Sequence, residues 1–256
     1  MFEIIADIGI AELLAIWLTA LFASVLRAFT GFGFALTAVP VFALFLAPVE
    51  AVVLSASLTL LSSLLTMRTF WAVVPLRPML PLGLMSILGT SAGTLLLNMI
   101  SPEQFRLWVG LSVIFGCAWL SFVNPSPSHN TLLLRSGTGL LSGLMNGALT
   151  IPGPPMIVYA MLTEPQPERS RALLMTFFLF SAMVALVSFA LAGFSTLQSL
   201  WYLLWTFPAV RVGGWLGGAL FKRFGDVLYR RIGLVSLLCI GLTITLGSLI
   251  PVDSLA

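Results

Sequence analysis

Residues 8–47 read IGIAELLAIWLTALFASVLRAFTGFGFALTAVPVFALFLA, an apolar run broken at Arg27 and again at Thr30-Gly31-Phe32-Gly33. A charge at bilayer depth costs at least ~2.5 kcal/mol, so an arginine in such a run marks a site of function. Residues 142–155, SGLMNGALTIPGPP, break a second hydrophobic segment in the other half of the chain, at Asn146, Gly147, Thr150, Pro152 and Gly153. Two Gly/Pro-interrupted hydrophobic segments in corresponding positions are the sequence signature of a transporter's binding site.

The composition agrees with a membrane protein. Of 256 residues, 59% are hydrophobic and 8% charged, and the mean hydropathy is +1.08; soluble domains carry about a quarter charged residues. Apolar windows long enough for ~30 Å of hydrocarbon recur along the length and leave no room for a soluble domain, so residues 1–256 form a single membrane domain. Residues 1–9 carry Glu3 and Asp7 but no Lys or Arg, unlike a cleavable secretory signal, so the first helix is expected to be retained. The net charge of +3 comes from Lys and Arg residues set singly or in pairs at helix ends, which is membrane topology rather than a nucleic-acid patch. Cys117 and Cys239 lack redox or zinc spacing, and His129 sits in a Pro/Ser loop; neither a metal nor a cofactor is expected.

Apolar windows fall near 9–29, 34–47, 50–68, 78–99, 103–122, 132–151, 153–162, 172–193, 197–221 and 229–250. Segments 34–47 and 153–162 are too short to span, so each break either turns the chain back or interrupts one crossing. Charge decides. If each unit returns, Arg68, Arg77, Arg135, Arg169, Arg171, Lys222, Arg223, Arg230 and Arg231 share one side and Arg106 stands alone on the other, nine against one; if each crosses, the split is seven against three. The returning arrangement makes the basic side cytoplasmic and puts both termini outside. The expected fold is an all-α polytopic membrane protein of two inverted repeats, each a helix-break-helix hairpin plus three transmembrane helices: a first repeat over 9–122, a linker loop over 123–131 and a second repeat over 132–250. Gly89, Gly93 and Arg106 match Gly213, Gly217 and Arg230 at an offset of 124 (213 − 89), while Thr30 and Gly33 match Thr150 and Gly153 at 120 (150 − 30).

Backbone groups freed at a break survive in a membrane only where they line a cavity, so the two breaks are expected to face each other. Half-helices starting near Phe34 and Pro154 point positive ends inward, and Thr30, Gly31, Gly33, Thr150 and Gly153 add hydroxyls and amides, an anion cradle. Arg27 and Arg211 are the cations expected at this depth, and their planar forks suit a carboxylate, sulfonate or sulfite; the competing reading has either one snorkel or bond to freed carbonyls. Asn146, one position from the match to Arg27, is a substrate or interhelical donor, Glu12 a candidate coupling carboxylate, and Ser55, Ser57 and Thr176 lesser candidates.

With Arg27-Ala28-Phe29-Thr30-Gly31-Phe32-Gly33-Phe34, the second break and a four-plus-four segment layout, the chain resembles the TauE/SafE family of sulfite and organosulfonate exporters over almost its whole length. The resemblance implies a secondary carrier of small sulfur-containing or carboxylated anions in the bacterial inner membrane. Its motif maps onto Thr30, Gly31 and Gly33, and onto Thr150 and Gly153. The second motif departs in being proline-rich, Ile151-Pro152-Gly153-Pro154-Pro155, where the family tends toward glycine. The expected partners are a small anionic substrate and the bilayer, with association into a homo-oligomer left open. An anion channel is the rival function, and a membrane enzyme a weaker one, because no nucleophile or acid–base pair gathers at either break.

Overall fold

A computed structural model of the chain describes residues 9–71, 73, 79–122, 131–164, 166–194 and 197–249, with the backbone alone at 113, 115–122 and 225–249. Arg77, His129 and the loop 123–130 lie outside the described residues, as do the side chains of Cys117, Cys239, Arg230 and Arg231. All regular structure among the described residues is helical: α1 (Ile10–Thr30), α2 (Phe34–Phe45), α3 (Pro48–Thr66, followed by a 3-10 turn Met67–Thr69), α4 (Leu80–Leu97), α5 (Pro102–Phe122), α6 (Leu132–Leu149), α7 (Gly153–Thr163), α8 (Pro167–Leu191) and α9 (Leu197–Leu249). Among them α1, α3 with its 3-10 turn, α4 and α8 are long and apolar enough to cross a membrane.

Local chemistry starts and stops these helices. Glu12 accepts the Gly9 N–H at 3.1 Å, Glu50 the Ala47 N–H at 3.4 Å, and Thr131 the Leu134 N–H at 3.2 Å; each satisfies a first-turn donor. Prolines 48 and 167 occupy first-turn positions of α3 and α8, where a missing N–H costs nothing. One expectation differs. The break anticipated between 221 and 229 is absent, and α9 runs as one helix of 53 residues. Lys, Arg and Asp do not stop a helix, and Gly225 alone costs only about 1 kcal/mol.

Glycines set the closest helix pairs. Gly89 and Gly93 of α4 lie against the carbonyls of Leu140 and Leu144 of α6, and Gly213 and Gly217 of α9 against those of Leu21 and Val25 of α1, with no room for a Cβ at any of the four. The two contacts correspond: the glycines differ by 124 (213 − 89, 217 − 93) and their partners by 119 (140 − 21, 144 − 25). In both pairs the contact advances along both helices in the same direction, so α4 runs parallel to α6 and α9 parallel to α1.

Helix directions place the breaks. Glu12 at the start of α1 and Glu50 at the start of α3 are both within electrostatic reach of Tyr202 on α9, so α1 and α3 begin at one end of the bundle and α2 leads the chain back to it. At the opposite end, Phe70 and Met67 beyond α3 pack on Ala172 and Met175 in the first turns of α8, so α3 and α8 run antiparallel.

Candidate functional site

Both interruptions are left-handed turns. Gly31 caps α1 at φ 83, and Thr150 caps α6 at φ 58, the lone positive-φ non-glycine among the described residues. Aligning these caps gives an offset of 119 (150 − 31), and the same offset relates the helix starts Phe34 and Gly153 (153 − 34) and Pro48 and Pro167 (167 − 48). These helix ends line up at 119, one less than the offset from Thr30 to Thr150, and at 119 Asn146 falls opposite Arg27 (146 − 27). Sequence alignment on identical letters misses this, because the position that must be left-handed is glycine in one half and threonine in the other.

The breaks meet around a small hollow. Arg27, Gly33, Phe34, Ala35 and Leu36 line it from the first break, Asn146, Thr150, Ile151, Pro152 and Gly153 from the second, with Thr59 of α3 and Phe178 and Ala182 of α8 closing the sides. A Cβ on Gly153 would sit 3.3 Å from Leu36 Cδ1, so the two half-helix starts are in contact. About 20 Å³ is open to the centres of water-sized molecules, room for a single water.

Arg27 is the charge on this wall, 1% exposed. Its Nη2 donates to Ser63 Oγ, its Cζ stands 5.8 Å from the Phe178 ring centroid, and its buried Nε has no acceptor. No carboxylate pairs with it among the described residues, which leaves a desolvated cation with an open donor. The half-helices add unequal donors. In α2 the amides of Phe34, Ala35 and Leu36 precede the first intrahelical bond, Thr37 N–H to Gly33 O at 3.0 Å, so they have no helical acceptor and carry the positive end of the helix. In α7 the positions from Pro152 to Pro155 include three prolines, so Gly153 holds the one N–H of the four.

The remaining candidates divide. Asn146 lines the hollow and donates Nδ2 to Ser181 O at 2.9 Å and to Thr90 Oγ1 at 3.4 Å; Thr150 lines it and donates Oγ1 to Val52 O at 3.3 Å. Thr30 is buried in its own turn, its hydroxyl 2.8 Å from Leu26 O and Phe32 O and accepting the Phe32 N–H at 3.2 Å. Gly31 holds Arg171 rather than lining the wall: a Cβ there would fall 2.9 Å from Arg171 Cγ and from its carbonyl oxygen. Glu12 sits fifteen residues before Arg27, about 22 Å along α1, as a cap. Arg211 is exposed on a second cavity, with Arg171 and Lys222. Ser57 and Thr176 bond their own preceding turns, while Ser55 Oγ is buried without a partner.

Thr59, Ser63 and Phe178 went unnoticed in the sequence. The 119 offset carries a signal for α3 and α8, since it pairs Ser57 with Thr176 and Ser62 with Ser181, two helix-borne hydroxyl sites shared by both halves.

The family model described as Sulfite exporter TauE/SafE matches residues 16–244. No curated protein and no solved structure matches the chain.

Proposed function

Because the chain belongs to the sulfite exporter TauE/SafE family, a family of membrane transporters, we propose that it exports a small sulfur-containing or carboxylated anion across the bacterial inner membrane, binding it in the hollow between the two breaks. Arg27 carries this reading: a buried guanidinium with an unpartnered Nε and no acidic neighbour among the described residues is a charge awaiting a counterion. The bound oxyanion takes that Nε–H, the first-turn amides of α2 and the Gly153 amide. Fork and amides together suit two or three oxygens on one centre, as in sulfite or a sulfonate.

Transport proceeds by alternating access. A hollow with room for one water is too tight for an oxyanion, which favours a carrier that opens over a standing pore. The halves are read as inverted repeats, a reading supported by the 119 offset and by α3 and α8 running antiparallel. The glycine contacts bind α1 to α9 and α6 to α4 backbone to backbone, so the bodies that rock are a hairpin of one half with a helix of the other. They part where Leu36 meets Gly153. Moving one negative charge outward across an inside-negative membrane releases about 2.3 kcal/mol per 100 mV, enough to drive efflux without a further coupling ion.

The test is [35S]sulfite flux in proteoliposomes of the purified protein. Saturable flux with counterflow, abolished by Arg27→Ala in a protein that still purifies as a folded species, supports the carrier. Flux untouched by Arg27→Ala overturns the site, and unitary currents without counterflow replace the carrier with a channel.

A further inference from the structure

A second cavity opens where α3 finishes and α8 begins. Arg171, Arg211 and Lys222 line it, together with Ser62, Trp215 and Gly218, and its volume is about 260 Å³, over ten times that of the central hollow. None of its lining residues is acidic. Arg171 is held in place: Nε and Nη2 donate to Ala28 O at 3.1 and 2.5 Å, and Cζ lies 4.2 Å from the Phe221 ring centroid. Arg211 and Lys222, eleven residues apart on α9, are exposed. The Ser62 hydroxyl, on a residue only 1% exposed, has no hydrogen-bond partner. A buried hydroxyl without a partner on the wall of a cavity lined by three cations is a donor left for a ligand.

The cavity adjoins the hollow through single covalent steps. Arg171 grips the carbonyl of Ala28, next to Arg27, and Ser62 precedes Ser63, the acceptor for Arg27 Nη2. We propose that it is a second oxyanion site, a vestibule in which Arg211, Lys222 and Ser62 hold an anion before it passes to Arg27. Naming the transported anion as the occupant rests on the function proposed above; the phosphate of an anionic lipid offers the same oxygens and is the other source. A cavity with three cations and no carboxylate raises the local anion concentration and steers the encounter, and a second anion behind the first lowers the barrier to release from the tight site.

Equilibrium binding of [35S]sulfite to the full-length protein in phospholipid-free detergent tests this. Two anions bind the wild type. The double variant Arg211→Gln/Lys222→Gln binds one, and Ser62→Ala, which leaves the charges in place, weakens that vestibular event about tenfold. Arg27→Ala loses the central event and keeps the vestibular one. Binding unchanged in the double variant and in Ser62→Ala overturns the vestibule while leaving the central site standing; binding lost in the double variant but indifferent to Arg27→Ala does the reverse. Nanodiscs of phosphatidylcholine, with or without phosphatidylglycerol, separate the sources: displacement of vestibular sulfite by phosphatidylglycerol supports the oxyanion site with lipid phosphate as its occupant. Absence of any sulfite or phosphatidylglycerol binding sensitive to Arg211 and Lys222 overturns it.

Discussion

Arg27 Nη2 donates to Ser63 Oγ, and Ser63 passes its own hydroxyl hydrogen to Thr59 O at 2.7 Å one turn back along α3. The serine is thus a fixed acceptor that turns the guanidinium toward the breaks, leaving Nε for a ligand. Ser63→Ala removes the acceptor and leaves a buried N–H unmet, which costs about 1–3 kcal/mol. The expected outcome is a lower melting temperature together with a raised KM for sulfite in proteoliposomes; an unchanged KM means that the serine does not position Arg27. Arg27→Lys keeps the charge but loses the fork and Nε, and is expected to bind sulfite about tenfold or more weakly.

Gly31 and Gly153 look alike in the sequence and are expected to behave differently. Gly31→Ala must hold φ 83 and push a Cβ against Arg171 at 2.9 Å; the left-handed conformation alone costs about 1–2 kcal/mol. It lowers thermal stability in detergent sharply. Gly153→Ala meets only side-chain tips, Leu36 Cδ1 at 3.3 Å and Ile157 Cδ1 at 3.5 Å, so the fold tolerates it and the loss appears in anion binding, where the added methyl narrows the hollow.

Pro155→Ala restores an amide to the first turn of α7, the half-helix whose first residue, Gly153, lines the hollow. A further donor at a helix N-terminus is worth about 0.3–1 kcal/mol toward an anion. Sulfite binding is expected to tighten by a few fold, measured at equilibrium against the wild type. No change would mean that the α7 end does not contribute to the cradle.

The glycine seams separate structure from function. Gly147→Ala sets a Cβ against the Thr90 carbonyl and forces α4 and α6 apart, and the folded yield should collapse. Gly218→Ala has nothing within 4 Å and exchanges glycine for a better helix former, so its melting temperature holds or rises, by up to about 1 kcal/mol of stability.

Cross-linking tests the moving parts. Leu36→Cys with Gly153→Cys, bridged by a short bis-maleimide in a background lacking Cys117 and Cys239, is expected to stop the flux that the same double-cysteine protein retains unbridged, since that contact must open for the anion to enter. Undiminished flux through the bridged protein would rule out motion at this contact.

Much of this was legible from residue order alone. Glycine and proline inside apolar runs break helices wherever they occur, so the interruptions at 30–33 and 150–153, the short half-helices behind them and the buried Arg27 between them followed from local backbone chemistry and the cost of a charge in hydrocarbon. What residue order did not carry was rotation and depth. Which face of α3 turns to α1 selected Ser63 over Ser55 and Ser57 as the acceptor for Arg27. The twist of α9 against α1, set by two glycines on two carbonyls, carried Arg211 out of the hollow and beside Arg171. Even the 119 offset between the two breaks needed three dimensions, because a left-handed cap is a backbone shape that glycine and threonine both fill at different cost. Local rules determined where the chain stops being helical; only packing between distant segments decided which side chains face one another there.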